Sequence, residues 1–125
     1  MARITQVLAS EFGACEPLFR AAAALAAILP VMRFARLRTR LFRLGGLAVG
    51  CGTVLLGRLR FTGEGRQRPL LSIGSHCVVN DAVTFNLGAQ VTIEDHVAVG
   101  MECLFITVGH TIGDPGHRAG RTEAE

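Results

Sequence analysis

Four histidines and four cysteines are the groups in this 125-residue chain best suited to chemistry near neutral pH. Cys15, Cys51, Cys77 and Cys103 are scattered singly, which fits neither a zinc finger nor a disulfide scaffold. Reduced thiols are expected, as in a cytosolic protein. An imidazole, with an ordinary pKa near 6.5, can accept the proton of a hydroxyl as its oxygen attacks a carbonyl. Such bases contribute roughly 10²–10⁴ in rate. His76, His96 and His117 read as solvent-facing or loop residues, whereas His110 stands in a Gly-His-Thr context near the chain end. No metal is expected, because the chain has no closely spaced His pair and no close Cys pair; six residues separate His110 from His117.

The elements that must carry these groups fall into two halves of opposite charge. Residues 1–68 hold 11 Arg against Glu11, Glu16 and Glu64; residues 69–125 hold Arg118 and Arg121 against seven acids. The balances are +8 and −5, recovering the net +3. The basic half lacks interleaved stacking aromatics and any nucleic-acid motif, so no nucleic-acid partner is expected. The longest apolar stretch, residues 21–32, is 12 long and contains Pro30, short of the roughly 18–20 needed to span a bilayer.

The first half reads as helical. Phe34, Leu37, Leu41 and Leu44 recur at spacings of three, four and three, and Arg33, Arg36, Arg40 and Arg43 repeat them one residue out of phase. This predicts an amphipathic helix over residues 31–44 with a basic flank, stopped by Gly45-Gly46. An Ala-rich helix over 17–29, ending near Pro30, is expected before it. The plain role for the 31–44 helix is to brace the following domain. The alternative is a peripheral membrane contact, apolar face down and Arg toward anionic lipid.

After Gly46 a six-residue period replaces the helical one. Val49, Leu55 and Phe61, then Ile73, Val79 and Phe85, then Ile93, Val99 and Phe105 recur at that spacing. Between Phe85 and Ile93 two residues are inserted, and Gln67 breaks the hexad between Phe61 and Ile73. A period of six fits neither a helix nor a simple alternating strand. It fits a short strand plus a turn, with one large side chain per unit pointing inward, stacked into a parallel β-helix. Gly and Asn after the aliphatic positions, such as Gly50, Gly74, Asn80, Asn86 and Gly100, are expected to supply the unusual corner angles. Cys77 and Cys103 occupy equivalent repeat positions, which favours small core residues over redox chemistry. The expected division is a helical segment 1–46, a repeat domain 47–118 with a loop protruding from about 107, and a polar tail 119–125.

The run IGSHCVVNDAVTFNLGAQVTIEDHVAVGMECLFITVGHTIGDPGHRAG, residues 73–120, resembles the hexapeptide-repeat acyltransferases. It is most similar to the maltose, galactoside and nodulation O-acetyltransferase branch. The resemblance implies a left-handed parallel β-helix, a homotrimer with sites between subunits, and acetyl-CoA as donor. It makes His110, in TVGHTIGDPGHRAG, the catalytic base, and Asn80, 30 residues earlier, an acceptor contact. Gly88 stands where the family often carries an acidic acceptor contact. The implied activity is acetyl transfer to a hydroxyl of a sugar or saccharide, in the cytoplasm or at a membrane periphery. Family members continue through more hexads, which form much of the acetyl-CoA cleft and supply the oxyanion donor. Here 15 residues follow His110, so no residue is assigned to CoA. A truncated or split gene, a non-catalytic homologue serving in binding or assembly, and a coil completed by a second chain are the competing expectations.

Overall fold

The computed structural model describes residues 2–13, 16–116 and 119–124. Helices α1 (Ala2–Gly13), α2 (Pro17–Ile28) and α3 (Ala35–Leu44) come first. Nine short strands follow: β1 (Ala48–Val49), β2 (Val54–Leu55), β3 (Leu59–Phe61), β4 (Leu71–Ile73), β5 (Val78–Val79), β6 (Val83–Asn86), β7 (Val91–Ile93), β8 (Ala98–Val99) and β9 (Leu104–Ile106). Each strand pairs in parallel with the third strand after it, giving sheets β1-β4-β7, β2-β5-β8 and β3-β6-β9. The chain thus visits three faces in rotation and is a mainly-β, parallel structure.

The hexad residues are the Cα partners of this pairing. Val49, Ile73 and Ile93 form one row, Leu55, Val79 and Val99 a second, and Phe61, Phe85 and Phe105 a third. All but the partly buried Val49, Phe61 and Phe105 are buried. Fully burying one such side chain contributes roughly 1.5–3 kcal/mol, so the period is held where the rows lie. The Phe rings stack at centroid distances of 5.4 and 5.1 Å. Cys77 is fully buried and its thiol donates to the Glu94 carbonyl at 2.9 Å, while Cys103 is half-buried.

Successive coils are 24 and then 20 residues apart. Three hexads need only eighteen, and the surplus sits at one corner, between the third face and the first. Residues 62–70 fill it in the first coil, including a 3₁₀ turn at Arg68–Leu70, and residues 87–90 fill it in the second. Gln67 does not interrupt a face, as the hexad count suggested; it builds this corner. Its buried amide donates to the carbonyls of Glu64 (2.8 Å) and Leu87 (2.9 Å) and accepts from the Leu87 N–H (2.9 Å). An aliphatic side chain could satisfy none of these groups.

Of the glycines after the aliphatic positions, Gly50 and Gly74 serve close approach rather than left-handed backbone, whereas a Cβ on Gly100 would meet only Cys103 Sγ at 3.8 Å. A Cβ on Gly50 would lie 2.4 Å from the Ser75 amide nitrogen, and one on Gly74 would lie 2.4 Å from Asp95 Oδ1. The positive φ angles at the corners belong instead to Gly52 (70°), His76 (55°), Ala82 (58°), His96 (60°) and Glu102 (60°). This corrects the expected role of the Gly and Asn positions. His76 and His96 are both exposed, as expected, with their rings stacked at 5.2 Å.

Helices α2 and α3 pack together over the first coil. Phe19 and Phe42 lie against Phe61, at 5.0 and 6.4 Å between ring centroids, extending the aromatic column. Glu16, which precedes α2, pairs with Arg68 of the inserted corner at 3.1 Å. Two expectations are corrected here. Helix α3 spans Ala35–Leu44 rather than 31–44, since Met32 and Phe34 take left-handed φ of 63° and 54°. Its buried face is Arg38, Thr39 and Phe42, whereas Phe34, Leu37 and Leu44 of the apolar stripe are exposed. The spacing identified a stripe but not which side the partner occupies.

After β9 the chain leaves the stack. Strands β10 (Val108–Ile112) and β11 (Ala119–Ala124) form an antiparallel hairpin where a loop and polar tail were expected. The β-branched run Val108, Thr111, Ile112 favours a strand, and Gly113-Asp114-Pro115-Gly116 supplies the reversal.

Candidate active site

His110 lies on β10 opposite Thr122, and the pairing register shifts between His110 and Ile112. Its side chain is exposed and borders a cleft of about 470 Å³, within the usual range for small-molecule sites. The other walls are Thr62, Gly63 and Glu64 from the first inserted corner, Asn86 at the end of β6, Leu87 and Gly88 from the second corner, and Val108. The imidazole therefore sits where the solenoid is least regular, a placement typical of function on a rigid scaffold. Gln67 fixes the lower corner to the upper one. Thr107 Oγ1 fixes the upper corner to the departing strand, accepting from the amides of Gly88 and Ala89, each at 3.0 Å. A Cβ on Gly63 would fall 2.5 Å from the Gln67 amide, so the backbone there must pass close.

Asn80 occupies a different corner, between the second and third faces. Its Oδ1 accepts the Asp81 N–H at 2.8 Å, and it borders a second cleft with Arg58, Arg60, Asp81 and Glu102. Asp81 accepts from the Arg58 amide at 2.8 Å and pairs with its guanidinium at 3.3 Å. The Arg58 side-chain hydrogen bond, then its backbone N–H, hold the Asp81 carboxyl below the usual carboxylate range. The same contact raises Arg58. Within one chain the two residues singled out from the sequence thus line separate clefts.

Glu64 and Asn86 escaped the sequence reading, although they flank His110's cleft. A signal for them exists in the coil lengths. The 24-residue offset places 62–64 over 86–88, and the Thr62 amide indeed bonds Phe85 while the Thr107 amide bonds Asn86. Among the described residues no group of three or more His, Cys, Asp or Glu could hold a metal ion. Cys15 and His117 lie outside the described residues. Set against family models, curated proteins and solved structures, the chain matches none.

Proposed function

We propose that this chain is a left-handed parallel β-helix of the hexapeptide-repeat acyltransferase class, which moves an acetyl group from acetyl-CoA to a hydroxyl of a sugar or saccharide. The observation that carries this reading is the placement of His110 on the strand leaving the prism, beside a cleft built from successive corner loops. An acceptor hydroxyl in that cleft would give its proton to the His110 imidazole as its oxygen bonds to the thioester carbon. Collapse of the tetrahedral adduct breaks the C–S bond, and the imidazolium returns the proton to the departing thiolate. Asn80 orients the acceptor. Its position at another corner suits a homotrimer in which His110 of one subunit faces Asn80 of the next. Assays of CoA release with acetyl-CoA and a sugar panel test the proposal. Wild type turns over, and His110→Ala loses about 10²–10⁴ of the rate. Equal turnover in both removes His110 from the chemistry.

A non-catalytic binding or assembly module is favoured by one observation: Met101, Leu104 and Ile106 on the last coil are exposed. That reading predicts no CoA release from wild type under any acceptor.

A further inference from the structure

The connection between α2 and α3 has features that packing alone does not explain. Ile28, Met32, Phe34 and Leu37 are all exposed around it, Ile28 at 78% and Met32 and Phe34 at 59% each. Met32 and Phe34 have φ of 63° and 54°, a region in which bulky residues are strained and glycine is not. Glycine at both positions would relieve the backbone and hide the apolar surface, yet large apolar residues stand there. The tip is also held firmly. The Met32 amide bonds the Leu56 carbonyl at 2.7 Å. The buried Arg38 guanidinium donates to the carbonyls of Leu29 (3.1 Å), Pro30 (2.8 Å), Arg33 (3.2 Å) and Leu55 (2.9 Å).

The segment that carries this tip is basic throughout, while across the Asn80 cleft stand Asp81, paired with Arg58, and the exposed Glu102. Residues 17–63 contain eight arginines and no acid. Arg43 is engaged with the carbonyls of Val49 and Gly50, and Arg58 with Asp81. Arg33, Arg36 and Arg40 are exposed beside the apolar residues.

The geometry points to a docking surface for anionic lipid: the tip residues enter the apolar boundary of a bilayer while Arg33, Arg36 and Arg40 meet its phosphates. A second copy fits this surface poorly, since two copies meeting through it bring these arginines against their own counterparts. Val31 and Met32 also border the Asn80 cleft, so docking brings that cleft to the bilayer surface. This inference is independent of acetyl transfer.

Flotation of the full chain with phosphatidylcholine vesicles, with and without phosphatidylglycerol, tests it. Wild type floats with the anionic vesicles and is released by salt. Met32→Gly/Phe34→Gly keeps or raises the melting temperature, because glycine accepts both backbone conformations, and loses flotation at least tenfold. Arg36→Ser/Arg40→Ser weakens anionic binding by about fivefold per arginine. Absence of flotation, equal flotation on neutral vesicles, or equal flotation of the glycine variant overturns the proposal. So does sedimentation showing a self-associated species that the glycine variant dissolves while no vesicle is bound.

Discussion

At the scale of single residues, the helical cap is organised by a guanidinium whose hydrogen bonds, among the described residues, all go to backbone carbonyls. Arg38 is fully buried, donates to four carbonyls, and leaves its Nε without a partner among the described residues. Burial pushes its pKa down, but a guanidinium starts so high that it stays charged. Arg38→Met is expected to cost roughly 2–3 kcal/mol in urea unfolding, because it strands buried carbonyls. Arg38→Lys recovers only part, since one ammonium cannot span the same acceptors. The sequence held a hint of this role: Arg38 belongs to neither the apolar nor the basic stripe of its helix. Asp81 gives a pH signature. Its carboxyl is held low in the fold, so its stabilisation is fully present above the unfolded value near 3.9 and is lost as pH falls through the folded value. Thermal unfolding across pH 2–5 should therefore show a shallower acid decline in Asp81→Asn than in wild type.

At the scale of elements, the three faces were legible and the corners were not. A face needs one large side chain at each sixth position, and burial enforces that choice coil after coil. A corner can be filled by backbone, by an amide such as Gln67, or by inserted residues, and none leaves a hydrophobic period. The same physics explains the misread side of α3: spacing defines stripes, but only packing shows which stripe is inside. The register of the faces can be tested chemically. Ser72 and Thr92 are Cα partners on β4 and β7, with their hydroxyl oxygens 3.4 Å apart. Neighbouring strands lie about 4.8 Å apart, which suits a disulfide. With Cys15 and Cys51 replaced by serine, Ser72→Cys/Thr92→Cys should cross-link readily under mild oxidation, as read by intact mass and thiol labelling. Ser72→Cys/Glu94→Cys, two residues out of register, should not. The opposite pattern would mean that the coils are offset differently.

At the scale of the whole molecule, one end of the stack is covered and one corner forms a cleft beside His110. The Phe19, Phe42 and Phe61 cluster closes the first coil beneath α2 and α3. Among the described residues no helix is long and apolar enough to cross a membrane. His110 stood out in the sequence by its Gly-His-Thr context, whereas the cleft it borders did not, because Glu64 and Asn86 reach it through coil offsets rather than through a motif. The separation of His110 from Asn80 on one chain makes assembly part of the proposed chemistry. The most direct measurement mixes His110→Ala with Asn80→Ala after dissociation and reassembly and follows CoA release. Each parent is inactive or nearly so, and an equal mixture recovers about a quarter of wild-type turnover, because one interface in four then holds both intact residues. A mixture no more active than its parents, beside an active wild type, would contradict a site shared between subunits.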